Sequence, residues 1–399
     1  MVYLKKHIHI ALGYFVIIAL LGIVLRLFTI VVVPANYRYI VHTHSHIALL
    51  GWVYTALTTL IYKIYLIKKV IPRTYTVIFW SMQVTIIGML ITFPFMGYAL
   101  FSIIFSTLFI LASYWFVWLF ISHTSKEQKR TLSYTYIRAA LYYMVLSSIG
   151  PWALGVIMNT LGNTSIWYKI AIYFYLHFQY NGWYIVALFG VFLYILEKSN
   201  ILISKSKSNL LYLSLQIGTL LSFFLSVLWT EPHTIFYILG GIGALFLIVA
   251  YYVLITIIIE CYPRLYKYIN STERTLLKIV LVFLGLKIIL QTISAIPYFS
   301  ELAYSIIDFV IAYLHLTFLG IVSLCIFAFL SLLQLLRLSK TSIVLFLIGF
   351  FGSEILIIYK GLAIWLQFSL YPYYFTSLAT ISSLMAVAII SLLIYQLKL

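Results

Sequence analysis

Three histidines fall within five residues in the stretch Val41-His42-Thr43-His44-Ser45-His46-Ile47-Ala48-Leu49-Leu50-Gly51-Trp52, just ahead of a long apolar run. Imidazole carries protons near neutral pH and ligates haem iron, copper or zinc; it does not suit calcium or magnesium. The chain holds nine histidines but only eight Asp and Glu, so a carboxylate-rich dimetal site is not expected. Cys261 and Cys325 lie in separate apolar segments with no C-x-x-C or C-x-x-C-H pattern. They point to neither a disulfide framework nor covalent c-type haem.

Three further histidines stand in apolar or helix-starting contexts. His177 lies in Tyr173-Phe-Tyr-Leu-His-Phe-Gln-Tyr-Asn-Gly-Trp183, His315 in Asp308-Phe-Val-Ile-Ala-Tyr-Leu-His-Leu-Thr-Phe-Leu-Gly320, and His233 follows Glu231-Pro232 as the cap of a helix. On a helix, His42 and His46 are four apart and share a face, while His44 projects elsewhere. His46 and His315 each have a glycine five residues later, Gly51 and Gly320. A deep histidine beside a small residue, on each of two helices, is what a bis-histidine b-type haem needs: imidazoles ligate the iron from opposite faces, and glycine permits close approach.

The elements that must position these residues are membrane spans. The chain of 399 residues is 64% hydrophobic and 8% charged, and soluble domains carry about 25% charged residues. Apolar runs long enough to cross a bilayer fall at 8–33, 39–66, 74–95, 98–122, 134–160, 166–196, 208–230, 233–260, 275–298, 302–336, 341–368 and 371–397. The expected fold is an all-α polytopic membrane bundle of about twelve transmembrane helices, forming a single domain over 1–399. Lys5, Lys6, Lys63, Lys68, Lys69, Arg73, Lys126, Lys129, Arg130 and Arg138 flank one side, and Arg38 and Lys169 alone flank the other in the odd-numbered connections. The positive-inside rule then sets both termini in the cytoplasm. Most of the net charge of +17 is thus a topology signal; no basic block or nucleic-acid motif accompanies it, and the expected environment is the lipid bilayer.

With that topology, His46 lies roughly 10 Å, His177 roughly 15 Å and His315 roughly 20 Å below the outer starts of their helices. Six histidines gather in the outer half of the bilayer, where a buried ionisable group is by default a functional candidate. His7, His9 and His123 fall at the cytoplasmic face, where a solvated surface is expected. Arg26 and Lys360 fall toward the outer side. Glu354 and Lys287 sit nearer mid-membrane, as an ion pair or a proton route.

Twelve helices with histidines on helices two, six and ten resemble subunit I of the haem-copper oxidase and nitric oxide reductase superfamily. The regions around His44-Ser-His46-Ile-Ala-Leu-Leu-Gly-Trp52 and Leu314-His-Leu-Thr-Phe-Leu-Gly320 also resemble NnrS-type haem proteins. The likeness spans the whole chain in topology, and only these short stretches in sequence. It implies that His46 and His315 are the axial ligands of a haem b between helices two and ten, with His44 the competing helix-two ligand. Arg26 and Lys360 then neutralise haem propionates. His177 resembles the helix-six ligand of an active-site copper, with His233 the nearest substitute for absent helix-seven histidines and His42 a metal-entry residue. The departures are definite: Tyr313 and Thr317 stand where a second helix-ten histidine is expected, and Asn181 occupies the place of the tyrosine some oxidases link to the helix-six histidine. A standard binuclear centre is not supported.

The implied function is a haem b-binding redox protein of the bacterial inner (cytoplasmic) membrane, a possible oxidoreductase toward O2 or NO, served by an electron-donating partner subunit. The alternatives are a twelve-helix transporter with a His-lined pathway, for which Ser148-Ile-Gly-Pro151 offers a helix break, and a membrane protein handling copper or zinc.

Overall fold

The computed structural model describes residues 2–67 and 72–398; Lys68 and Lys69, counted above among the flanking cations, lie outside them. The protein is 85% helical, and the described residues contain no strand. Among them, twelve helices are long and apolar enough to cross a membrane. In chain order these spans are Tyr3–Leu27, Tyr37–Leu66, Arg73–Met96, Leu100–His123, Leu132–Thr160, Ile166–Lys198, Lys205–Thr230, Thr234–Leu265, Ser271–Ile293, Ile307–Leu332, Lys340–Leu366 and Tyr374–Leu397. The all-α polytopic architecture read from the apolar runs is the one observed. Its outward surface is apolar, with Ile259 and Val282 each 66% exposed, as lipid contact allows.

Span ends follow local chemistry. Asn36 Oδ1 accepts from Tyr39 N at the start of span two, Ser165 Oγ from Trp167 N at span six, and Asn270 with Glu273 forms a capping box at span nine. Each satisfies backbone N–H groups that a helix start leaves open. Span ten begins later than its apolar run because Pro297, which has no N–H to give, opens a separate short helix, Pro297–Ser305. Span five is interrupted: one helix ends at Ser147 and the next begins at Ile149. There Gly150 lets span six approach, since a Cβ at that position would lie 2.5 Å from the Ala171 carbonyl oxygen.

The chain divides into two compact units, Met1–Lys126 with Phe329–Leu399, and Glu127–Ala328. Short connections alone do not reveal this division. In the first unit, span one packs on spans two and twelve, span twelve on eleven, and span three on two and four. In the second, span five packs on six, seven on eight, eight on nine, and nine on the middle of span ten.

Candidate functional sites

Spans two, six and ten share one departure from α-geometry. Ile47–Tyr54, Phe178–Ile185 and Leu316–Ser323 are π-helical, each eight residues long, and each begins directly after a histidine: His46, His177 or His315. Wide turns of this kind are rare and concentrate at functional sites. Side chains brace them across the five-residue step. Thr55 Oγ1 donates to the Leu50 carbonyl at 3.3 Å, Ser323 Oγ to the Phe318 carbonyl at 2.7 Å, and Gln179 Nε2 to Tyr184 Oη at 2.9 Å. A glycine stands five residues after each histidine, Gly51, Gly182 and Gly320. Two of them seat a tyrosine of the preceding span: a Cβ at Gly51 would lie 2.9 Å from Tyr14 Cγ, and one at Gly182 2.6 Å from Tyr143 Cβ. The close helix approach expected of Gly51 is observed.

In the first unit, the three clustered histidines divide as helical spacing predicts. His46 Nδ1 lies 2.8 Å from the His42 carbonyl oxygen. A carbonyl only accepts, so Nδ1 carries the proton and Nε2 keeps its lone pair. That Nε2 meets the Tyr98 phenol at 3.3 Å, and the ring lies 4.4 Å from that of Phe93. His42 faces the same residue, 4.7 Å from the Tyr98 ring. His44 turns instead to span one, its Nδ1 3.1 Å from the Ile18 carbonyl and its Cε1 3.4 Å from where a Cβ on Gly22 would lie. Both His44 and His46 thus hold Nδ1–H on a backbone carbonyl, the outer hydrogen bond that orients a ligating imidazole. Arg26 and Lys360 are half-buried in spans one and eleven of this unit.

The second unit holds a buried polar network around His177, which is 1% exposed. His177 Nε2 donates to the Thr219 carbonyl at 2.8 Å, which leaves Nδ1 as an acceptor. Asn181 Nδ2 donates to that Nδ1 at 3.2 Å. Asn181 therefore turns Oδ1 the other way, where it accepts from Lys287 Nζ at 2.7 Å. Lys287 also donates to Gln291 Oε1 at 2.8 Å, and its Nζ lies 5.4 Å and 5.8 Å from the ring centroids of Tyr313 and Tyr180. Both ring nitrogens of His177 are engaged within the protein.

The remaining candidates are more scattered. His315 is half-buried at the head of its π segment in the second unit. His233 is exposed and caps span eight, its Nδ1 accepting from Ile235 N at 3.4 Å, a structural role as the sequence indicates. Among the described residues, no three His, Cys, Asp or Glu side chains stand close enough together to hold a metal ion. Two expectations are corrected. The hydrogen bonds of Lys287 go to two carboxamides, so an ion pair with Glu354 is not what holds it. His7 is not solvated: it is 5% exposed and stacks on Phe79 at 3.5 Å, because span one carries it inward against span three.

Sequence reasoning overlooked that His177 belongs with His46. Both read His-x4-Gly-Trp, ending at Gly51-Trp52 and Gly182-Trp183, a pattern visible without coordinates. The partners of Lys287 carried no such signal. No model of a known protein family matches the chain, and no curated protein matches it either.

Proposed function

We propose that the chain is a haem b-binding integral-membrane redox protein of the bacterial inner membrane, with both termini on the cytoplasmic side. The observation that carries this reading is the posture of His46. Its Nδ1–H is fixed on the His42 carbonyl, and its Nε2 lone pair points away from the helix toward a phenol on the short bend between spans three and four. A neutral imidazole held this way is ready to ligate iron. His315 occupies the equivalent place before its own π segment and is assigned the same role in its own unit. Arg26 and Lys360, cations in the same unit as His46, are assigned to the propionates. Haem, when bound, supplies one-electron transfer; the chain's part is to orient the imidazoles and keep them neutral. The donor is a partner subunit. No step is assigned to copper.

An absorption spectrum of the purified protein tests this. Protein from a host making haem should show a Soret band and reduced-minus-oxidised b-type bands. His46→Ala and His315→Ala should each lose the bands of the haem that the replaced imidazole holds, and His177→Ala should keep them all. A colourless wild type refutes the reading and favours the transporter. Loss in His44→Ala with retention in His46→Ala moves the helix-two ligand to His44.

A further inference from the structure

Lys287 lies within span nine and is 2% exposed. A charge removed from water is ordinarily paired with an opposite charge, and this one is not. Its protein partners are the Asn181 and Gln291 carboxamide oxygens and the faces of Tyr180 and Tyr313. Among the described residues it makes no ion pair. The orientation of Asn181 follows from the network itself. The Thr219 carbonyl fixes the His177 tautomer, His177 fixes the Asn181 amide, and Asn181 presents oxygen to Nζ. Two carboxamide oxygens and two ring faces form the shell around Nζ.

Beside this shell is a cavity of about 30 Å³ lined by Lys287, Gln291, Asn181, Thr219 and Ser222, with apolar side chains completing the wall. Two of the three Nζ hydrogens are used on the carboxamides, leaving one. With Oε1 of Gln291 turned to Lys287, its Nε2 finds no acceptor among the described residues. The titratable side chains around Lys287 are His177, Tyr180, Tyr313 and Tyr251, the last donating to the Leu281 carbonyl at 3.0 Å. None of them brings a negative charge at neutral pH. Lys287 Nζ and a carboxamide donor thus border a small space whose wall is mostly apolar. The cavity has room for a species of water size or slightly larger.

We propose that Lys287, Gln291 and this cavity form a binding site for one monatomic anion of the halide class, with chloride the physiological occupant. The site lies wholly in the second unit and stands independently of the haem reading.

The test uses the purified full chain in detergent, in gluconate buffer of constant ionic strength. Thermal unfolding is followed by tryptophan fluorescence while gluconate is exchanged for chloride. The expected result is a rise in Tm that grows with the logarithm of chloride concentration, on the order of 2 °C for each tenfold above half-saturation. Bromide should act alike, and sulfate should not. Lys287→Met removes the charge, and Asn181→Asp supplies an internal carboxylate; both should abolish the chloride dependence. A crystal soaked in bromide should give an anomalous peak within hydrogen-bond reach of Lys287 Nζ. The proposal is overturned by a wild type whose Tm ignores chloride, by a chloride effect that persists in Asn181→Asp, or by bromide-soaked crystals with no peak at Nζ. Should Lys287→Met fail to fold, Asn181→Asp and the wild-type bromide experiment decide.

Discussion

Asn181→Leu keeps the branched heavy-atom skeleton of the side chain and removes its hydrogen bonds to His177 and Lys287. His177 Nδ1, 1% exposed with its residue, loses its donor at 3.2 Å, and a buried polar atom left unpaired costs about 1–3 kcal/mol. Lys287 loses its acceptor at 2.7 Å, a charge-assisted bond of about 1.5–3 kcal/mol. The single substitution should therefore destabilise by about 2.5–6 kcal/mol if the two losses add. In a Lys287→Met background the second loss has already been taken, so Asn181→Leu should cost only the first. The coupling between the two sites should be about 1.5–3 kcal/mol, measured by a double-mutant cycle. Equilibrium unfolding in mixed micelles titrated with sodium dodecyl sulfate, read by tryptophan fluorescence, gives each corner. Additivity within about 0.5 kcal/mol would refute the contact, and with it the orientation of the Asn181 amide.

Two further predictions use the same assay. Gly51→Ala and Gly182→Ala should each cost about 1–3 kcal/mol by overpacking, because the new methyl would meet Tyr14 or Tyr143 inside 3.0 Å; Gly13→Ala and Gly241→Ala, with nothing within 4 Å, should not destabilise. Equal effects at all four positions would show that the tyrosine seats are not what those glycines serve. His7→Phe should keep the stack on Phe79 and lose only a long contact to Tyr75 Oη at 3.4 Å, changing stability by less than about 1 kcal/mol, whereas His7→Ala should cost about 2–4 kcal/mol as a core truncation. A neutral His7→Ala would return His7 to the solvated surface.

What the sequence made legible was whatever depends on hydropathy and on spacing along one helix. Apolar runs gave the twelve spans because a bilayer tests each segment almost independently of the others. The split of His42 and His46 from His44 was also readable, since facing on a helix follows from residue number. The π segments were not readable: Ile47–Tyr54 and Leu316–Ser323 have the composition of ordinary apolar helix, and no propensity marks an i→i+5 turn. Nor was the neighbourhood of Lys287, whose partner Asn181 lies on span six. Contacts between distant spans depend on which faces meet, and a helix that is apolar all round gives no pattern to say so. His7 departs from expectation for a related reason: a place at the cytoplasmic face suggests exposure, while burial is set by the contacts of span one with Tyr75 and Phe79 of span three.

The recurrence of His, π turn and glycine every fourth span bears on what these sites do. One wide turn has many local causes, but three of equal length, each starting at the residue after a histidine, point to a repeated structural element within the chain. A repeat carries its framework along and leaves the chemistry free to change. The framework is indeed kept: Tyr14 seats on Gly51 from span one as Tyr143 seats on Gly182 from span five. The chemistry is not. His46 anchors its Nδ1 on its own helix and turns Nε2 outward, whereas His177 spends both nitrogens on Thr219 and Asn181 and passes the hydrogen-bond chain to Lys287. The same scaffold thus presents a lone pair facing a single phenol in one unit and a closed polar network beside a buried lysine in the other. Substituting these two histidines should accordingly give different phenotypes, a spectral loss at His46 and a loss of stability at His177. An identical outcome at both positions would mean that the shared backbone, rather than the hydrogen bonds traced here, decides what the imidazoles do.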